Sequence, residues 1–375
     1  LACYANILTK ENDYEKAHRV AKLAISISET YSYCSELANT YNMLAGLVIY
    51  LKSSYPDAIK LHQKGYELGL ENGELARATL NYCNLLYLKV SQGENLKLTH
   101  KHSELALALA ERKSIYFPEP ALIEKLISSL MNASPEGLEI LDDERFDIGD
   151  LNKIQSGFHY PILNHYRSQL AFWYDDIERA TEFASQVQAQ IILIPKFSFY
   201  IDHLVQYGLL LTSQLNSSNK LHHEHLDFCL NKLQALAELY PPNFEHKYCL
   251  LQAELAYAQG QSIEQLSPLY EQAIASAQAH GFLQYQALAN ELYGRAWLSK
   301  NVRPMAKIHL KQAKALYRRW GCTVKVHNLK HEFAELFQSS TALSSSALEN
   351  TEANTAETSS ASTHTNSKSS TQTTS

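Results

Sequence analysis

The sequence is poor in the residues that interrupt helices. Its 375 residues include only 13 glycines and 10 prolines, while 45% are hydrophobic. This composition suits a helix-rich globular protein. No run of 18 consecutive apolar residues occurs, so we expect no membrane-spanning helix and no membrane partner.

Disulfide and nucleic-acid signals are also missing. The six cysteines are scattered and none forms a Cys-x-x-Cys pair. Isolated thiols of this kind are typical of a reducing compartment, so we expect a cytoplasmic location. The net charge of −6 is mildly acidic, and we therefore expect no nucleic-acid partner.

Motifs of phosphoryl-transfer chemistry are absent as well. The chain has no Gly-x-x-x-x-Gly-Lys-Ser/Thr phosphate loop, and no Gly-x-Gly-x-x-Gly, His-Arg-Asp or Asp-Phe-Gly kinase signature. Each of these motifs supplies backbone or side-chain groups that kinases and ATPases require. We therefore expect no catalytic residue and no cofactor in this segment.

A pattern of small residues is present in four places. Gly294, Ala306 and Ala313 are separated by 12 and then by 7 residues. The same 12/7 pattern recurs at Ala5, Ala17 and Ala24, at Gly46, Ala58 and Gly65, and more weakly at Ser168, Ala180 and Val187. Small residues on both sides of a turn allow two antiparallel helices to approach closely, while large neighbours such as Leu310 fill the space beside them. The pattern predicts stacked helix pairs.

Apolar residues spaced i, i+3, i+4 and i+7 accompany this pattern through most of the chain. They predict helices at about 1–9, 13–29, 35–51, 56–71, 74–91, 95–112, 119–133, 158–173, 175–191, 194–216, 221–239, 243–259, 263–280, 283–299, 302–320 and 323–338. The predicted fold is all-α, a right-handed superhelical solenoid of antiparallel, tetratricopeptide-like helix hairpins. Such a solenoid leaves a long concave surface for recognition. The 23 tyrosines fit two roles, lining that surface or packing between helices.

The pattern divides the chain into four parts. We expect N-terminal repeats at 1–133, an irregular acidic connector at 134–157 and C-terminal repeats with a capping helix at 158–338. Residues 339–375 contain 12 Ser and 9 Thr with no aromatic residue, and we expect a disordered linker there. Because the chain begins with Leu1 inside a predicted helix, we expect a piece of a longer protein.

Several segments resemble one family of large bacterial signalling proteins. These segments are FSFYIDHLVQYGLLL, PPNFEHKYCLLQAELAYAQG, ANELYGRAWLSK, AKIHLKQAKALYRRWG and CTVKVHNLK. They look like the helical region of proteins that join a serine/threonine kinase, an AAA-type ATPase, helical repeats, a GAF domain and a histidine kinase. The resemblance covers about 158–338 and is most specific at 243–325. His309 departs from the family pattern, which expects a bulky neutral residue, and this questions how tightly the last pair packs.

The resemblance implies a non-catalytic region whose ATPase and kinase partners lie elsewhere in the parent protein. It implies binding of a protein or a small ligand and coupling to those modules. Two alternatives remain open: a stand-alone scaffold that recruits a partner protein, and the ligand-sensing domain of an ATPase-type transcriptional activator.

One residue-level site is predicted on the helix at 302–320. Five cations follow one face with spacings of 4, 4, 3 and 4: Arg303, Lys307, Lys311, Lys314 and Arg318. We call them the basic stripe. Like charges at these spacings repel by a few tenths of a kcal/mol per pair, so helix stability does not account for them. We predict docking of an acidic partner surface, an anion or another module of the same protein; the alternative is a solvated face with counter-charges on a neighbouring helix.

Two groups of histidines contain residue types that bind metals. They are His222, His223 and His225 around Glu224, and His327 with His331. The first group does not share one helix face, and the second lacks an evident third ligand. The acidic connector lacks the residue order of an EF-hand loop. We therefore expect no metal site.

Overall fold

A computed structural model describes residues 1–31, 34–111, 119–134, 137, 159–191, 197–215 and 220–338. Within these ranges it contains 17 α-helices, a 3-10 helix at Ile49–Leu51 and no strand. The α-helices are α1 (Ala2–Lys10), α2 (Tyr14–Thr30), α3 (Cys34–Leu47), α4 (Tyr55–Glu71), α5 (Leu75–Gln92), α6 (Leu96–Glu111), α7 (Glu119–Asn132), α8 (His159–Trp173), α9 (Ile177–Ala189), α10 (Ser198–Thr212), α11 (Lys220–Leu239), α12 (Pro241–Ala258), α13 (Ile263–His280), α14 (Leu283–Ser299), α15 (Arg303–Trp320), α16 (Thr323–Glu332) and α17 (Ala334–Gln338). The predicted all-α fold is confirmed.

The residues form two units by their internal contacts, Leu1–Leu329 and Lys330–Ser375. In the second unit, α16 ends at Glu332 and α17 follows, so the helix predicted at 323–338 is interrupted. The predicted acidic connector at 134–157, apart from Ser134 and Gly137, lies outside the described residues, as does the predicted linker at 339–375. None of the described helices combines the length and apolar character that a membrane span requires.

Helices of the first unit pack in the manner of a solenoid of hairpins. Successive helices contact each other, as α1 with α2, α3 with α4, α8 with α9 and α14 with α15. Alternate helices also meet, as α1 with α3, α3 with α5, and α12 with α14. Each hairpin therefore buries a face of its neighbour, which is how repeat proteins build a continuous core.

The 12/7 pattern marks buried positions in all four places where it occurs. A Cβ added to Gly294 would come within 2.8 Å of Leu310 Cγ on the partner helix. In the weaker copy, Ser168 Oγ donates a hydrogen bond to the backbone oxygen of Ala180 at 2.9 Å. Small residues thus permit close contact within these hairpins, and one hydroxyl adds a polar link.

Three of the hairpin turns share a left-handed residue. Asn12, Asp175 and Asn301 have φ values of 63°, 65° and 60°. Each lies seven residues after the first position of its 12/7 pattern. Asn and Asp tolerate this conformation better than other residues with a side chain, because their short polar groups bond locally. The turn is therefore part of the repeat.

The second hairpin departs from the prediction at its turn. α3 ends at Leu47 and the 3-10 helix follows, where the periodicity predicted one helix over 35–51. The side-chain amide of Asn243 donates to the backbone oxygens of Tyr50 and Ser53 at 2.6 and 2.8 Å. These distant hydrogen bonds satisfy carbonyls that a longer helix would have used internally.

Hairpins far apart in sequence meet along a line that we call the seam. Three side-chain amides cross it to backbone oxygens: Asn243 to Tyr50 and Ser53, Gln284 to Ser91, and Asn95 to Arg319. The residues they join are 190 to 224 positions apart. The solenoid therefore closes one turn upon itself between its N-terminal and C-terminal hairpins.

Helix α10 occupies the interior of this turn. All 15 of its residues from Ser198 to Thr212 are buried, and it contacts α5, α8, α9, α11 and α12. Fully buried tyrosines lie throughout the first unit, among them Tyr50, Tyr55, Tyr166, Tyr207, Tyr270 and Tyr293. Around α10 the predicted open concave surface is therefore filled, and these tyrosines pack between helices.

The last hairpin packs closely although His309 departs from the expected residue type. Its ring faces Tyr293, with centroids 4.3 Å apart, and its Nδ1 lies within hydrogen-bond distance, 3.1 Å, of Asn290 Oδ1. Burial lowers the pKa of His309, so the neutral ring serves as the bulky group that this position requires.

Candidate functional site

The basic stripe lies on α15, the second helix of the last hairpin. This helix begins with Arg303 and Pro304 and ends before Gly321. Gly321 has a φ of 99°, a left-handed conformation that glycine adopts readily at the end of a helix. Its inner face is buried through Ala306, Leu310, Ala313, Leu316, Tyr317 and Trp320. The stripe residues follow one line along the flank of this buried face.

The five cations of the stripe differ in exposure. Arg303, Lys311 and Arg318 are exposed, whereas Lys307 and Lys314 are half-buried and make further contacts. Ile308, 58% exposed, lies beside them. The exposed three therefore offer the direct test of docking, because changing them leaves the packing of α15 intact.

A buried carboxylate lies against the inner face of α15. Glu291 on α14 accepts a hydrogen bond from the Tyr317 hydroxyl at 2.8 Å. It also accepts from Lys325 Nζ at 2.9 Å and from Arg295 at 2.9 and 3.1 Å. Lys325 Nζ donates further to Asp175 Oδ1 at 2.7 Å. We call Asp175, Glu291, Arg295, Tyr317 and Lys325 the Glu291 network.

This network reaches a distant hairpin. Asp175 is the left-handed residue of the turn between α8 and α9, 150 positions from Lys325. Asn328 Nδ2 also donates to Asp175 Oδ2, at 2.8 Å. Charge-assisted hydrogen bonds of this length are about twice as strong as neutral ones. The helix that carries the basic stripe is therefore connected through Tyr317 to the α8–α9 turn.

Both ends of the central ion pair stay charged. Burial raises the pKa of Glu291, but Lys325, Arg295 and the hydrogen bonds to its carboxylate outweigh that effect and lower it. Burial lowers the pKa of Lys325, but the charges of Glu291 and Asp175 outweigh that effect and raise it. Each buried charge thus has an opposite charge within hydrogen-bond distance, as stable buried ions require.

A second buried lysine has a different environment. Lys247 on α12 is fully buried, and its Nζ lies 3.5 Å from Asp202 Oδ1 on α10. The rings of Tyr55, Phe282 and Tyr285 surround its ammonium group, with centroids 5.4, 4.8 and 4.7 Å away. We call these groups the Lys247 cage. Burial lowers the pKa of Lys247, because it outweighs the attraction of Asp202.

The Lys247 cage joins helices from both sides of the seam. Tyr55 opens α4, Asp202 belongs to α10 and Tyr285 to α14. The Tyr285 hydroxyl donates to Asp202 Oδ1 at 2.8 Å. Cation–π attraction strengthens when the cation is desolvated, so the cage holds three distant hairpins together.

Two small cavities lie beside Asp202. Both are lined by Gln169, Trp173, Asp202 and Tyr285. The first has room for about two water molecules and the second for about one. Ligand pockets are usually much larger, so neither space has room for a metabolite.

The candidate metal-binding histidines do not come together. His225 Nδ1 lies 2.9 Å from the Tyr207 hydroxyl, His222 is half-buried and His223 is exposed. His327 and His331 are both exposed. Across the described part of the chain, no group of three or more His, Cys, Asp or Glu side chains is placed to hold a metal ion.

Sequence reasoning missed the buried charges. Lys247 has Phe244 three residues before it and Leu250 three residues after it, which places a lysine on an apolar helix face. Asp202 is the one acidic residue of the apolar helix at 198–212. The sequence signal was a charged residue at an apolar position of the helical pattern. Such a residue is buried only when it has a partner, so it predicts a buried ion pair.

Comparison of the chain with models of known protein families and with curated proteins finds no match. The family resemblance of 158–338 therefore stays a prediction from the motifs.

Proposed function

We propose that this segment is a non-catalytic helical-repeat region that couples modules of a bacterial signal-transduction protein. It binds an acidic surface, on a partner or on another module of the same protein, through the basic stripe; a small ligand is the alternative occupant. The modules that it serves are an ATPase, a kinase and a sensor, as the resemblance of 158–338 implies, and its location is cytoplasmic.

The observation that supports coupling is the connection from the stripe to a distant hairpin. The stripe follows α15, and Tyr317, on the buried face of the same helix, donates a hydrogen bond to Glu291. Lys325 continues from Glu291 to Asp175. A partner that displaces α15 therefore disturbs buried charged groups at the α8–α9 turn. It shifts the protein between two states only if it binds them with unequal affinity.

Binding is tested with an acidic probe, a polyglutamate peptide of about 20 residues. We expect Arg303→Glu/Lys311→Glu/Arg318→Glu to weaken binding at least about tenfold, since three cation contacts are reversed. The matched control is Lys22→Glu/Lys97→Glu/Lys101→Glu, which makes the same change in net charge at exposed lysines elsewhere. Equal binding by both variants would remove the stripe from the proposal.

Coupling is tested by hydrogen exchange in the same complex. We expect peptide binding to change exchange at the amides around Asp175, because the Glu291 network ends there. The effect should disappear in Glu291→Gln while peptide affinity is retained. A change confined to α15 would leave a docking surface without coupling.

Two other functions are distinguished by simple observations. A stop codon after Ser375 would favour the stand-alone scaffold, and a helix-turn-helix would favour the transcriptional activator. A GAF domain and a histidine kinase there would support the proposal. ATP hydrolysis or autophosphorylation by the purified chain would contradict a non-catalytic role.

A further inference from the structure

The first hairpin carries an unusual concentration of exposed apolar side chains. Six of the twelve large exposed hydrophobic residues in the described chain lie on α1 and α2: Leu1, Tyr4, Ile7, Leu23, Ile27 and Tyr31. We call them the first-hairpin face. The other six are distributed over α4, α6, α9, α11 and α15. Contiguous apolar patches on a protein surface usually mark an interaction site.

The 12/7 pattern shows what this face corresponds to in the other hairpins. Ile7 lies two residues after Ala5, and the equivalent residues are Val48, Leu170 and Ala296. Those three are 0–1% exposed, whereas Ile7 is 50% exposed. Ile7, on the α1 part of the first-hairpin face, thus occupies a position that is buried in the other three hairpins.

Tyr4 also corresponds to a buried residue of another hairpin, and the contacts of that residue show which kind of group covers the position. It precedes Ala5 as Tyr293 precedes Gly294, and Tyr293 is buried. Tyr270 on α13, the second helix of the preceding hairpin, stacks on Tyr293 with centroids 4.9 Å apart and planes at 15°. The Tyr293 hydroxyl donates to the next residue of α13, Glu271, at 3.4 Å. An aromatic–acidic pair on a helix therefore covers this position.

Helix α2 extends the same face. Lys16 Nζ lies over the Tyr4 ring, 5.6 Å from its centroid, which places that side of α2 next to Tyr4. Leu23 and Ile27 follow Lys16 by 7 and 11 residues, so they share its side of the helix. The side of α2 that adjoins Tyr4 thus exposes two apolar residues with a cation beside them, and that cation suits an acidic residue on a covering helix.

We propose that the first-hairpin face is a stacking interface for a further helix hairpin whose second helix presents an aromatic–acidic pair like Tyr270–Glu271. The occupant continues the solenoid in the register of the internal repeats. The first-hairpin face shares no residue with the basic stripe, and its assignment follows from the equivalence of α1 with α3, α8 and α14 and from the exposed apolar side chains of α1 and α2.

The test supplies such a hairpin from the protein itself. A copy of residues 241–289 is inserted directly before Leu1 of the full chain, because Ala289 precedes Gly294 by the same five positions that separate this junction from Ala5. We expect hydrogen exchange of the α1 amides to slow by about tenfold or more, as added packing suppresses local opening. Unchanged exchange would overturn the proposal.

Control variants identify the contact responsible. Tyr270→Lys in the added copy alone, or Ile7→Glu in the recipient, should abolish the protection, whereas Ile308→Glu, at an exposed site on α15, should retain it. Protection that survives Tyr270→Lys and Ile7→Glu would contradict stacking on this face. Sedimentation velocity of the unmodified chain is the second measurement: a monomer agrees with a hairpin occupant, and a dimer lost only in Ile7→Glu would replace the hairpin by a second copy.

Discussion

The two buried lysines show how the same charge is accommodated in two different ways. Lys325 has two carboxylates within 2.9 Å, and its pKa is raised. Lys247 has one carboxylate at 3.5 Å and three aromatic rings, and its pKa is lowered. Direct hydrogen bonds therefore compensate for lost hydration, whereas an aromatic cage with one more distant carboxylate does so only in part.

The largest effect is expected from breaking the Glu291 network. Glu291→Ala removes the carboxylate shared by Lys325, Arg295 and Tyr317. We expect the free energy of unfolding to fall by about 3–5 kcal/mol, because Lys325 keeps its buried charge with one partner fewer. Urea unfolding followed by tryptophan fluorescence measures this. Glu182→Ala, at an exposed site on α9, serves as control, and a loss of similar size there would contradict the interpretation.

Acid titration tests whether the buried His62 is neutral in the folded protein. Burial lowers the pKa of His62 to about 4 from an ordinary 6.5. Between these values the unfolded chain binds a proton that the native protein does not, so stability falls as pH falls. The expected loss is about 3 kcal/mol across this range. His62→Gln should flatten the dependence of unfolding free energy on pH, whereas His327→Gln, at an exposed site, should not; parallel profiles for all three proteins would refute the assignment.

A double substitution tests whether the Lys247 cage stabilises the fold. Asp202→Asn alone should cost about 2–3 kcal/mol, because Lys247 then stays buried without its counter-ion. Asp202→Asn/Lys247→Met removes both charges and keeps the apolar stem among the rings. We expect the double variant to unfold within about 1.5 kcal/mol of the natural sequence. If chemical denaturation finds the double variant less stable than Asp202→Asn, the cost of Asp202→Asn does not come from an unpaired charge on Lys247.

Alkaline titration should give opposite signs for the two lysines. The raised pKa of Lys325 means that its stabilisation is complete below the ordinary value of 10.5 and is lost as pH rises through the folded value. The lowered pKa of Lys247 means that, as pH rises, the native state loses this proton at a lower pH than the unfolded state does. The free energy of unfolding therefore rises with pH between the folded pKa and 10.5. We therefore expect the unfolding free energy to change in opposite directions for the two lysines as pH rises.

Unfolding of Lys325→Met and Lys247→Met relative to the natural sequence, measured from pH 8 to 11, checks these signs. Tyrosines outside the Glu291 network and the Lys247 cage contribute equally to all three proteins, so their contribution cancels in the differences. Profiles that move in the same direction would show that the two environments do not differ as described.

Much of the first unit follows from local sequence. The 12/7 pattern placed buried positions correctly in four hairpins, because a helix pair with a short turn forces the same residues into contact each time. It also contained a signal that went unused: Asn12, Asp175 and Asn301 are the turn residues of three of these hairpins. The exposed side of α15 followed from helical spacing alone.

Contacts across the seam could not be predicted from local sequence. Asn243 shortens α3 from 190 residues away, and no pattern within 35–51 records that contact. Four members of the Glu291 network lie on the consecutive helices α14, α15 and α16, but Asp175 lies 150 positions from Lys325, with other repeats between them. Side chains brought together by superhelical closure have no fixed spacing in sequence.

The sequence by itself determined most of the helices, their paired packing and the alignment of the five stripe cations along one helix, because these depend on a period of 3.6 residues and on small residues at fixed offsets. Only the tertiary structure decided that α10 is enclosed on every side, that two lysines are buried with different partners, and that the first-hairpin face is left uncovered. Each of these depends on how one turn of the solenoid meets the next, which is the sum of many small rotations between hairpins.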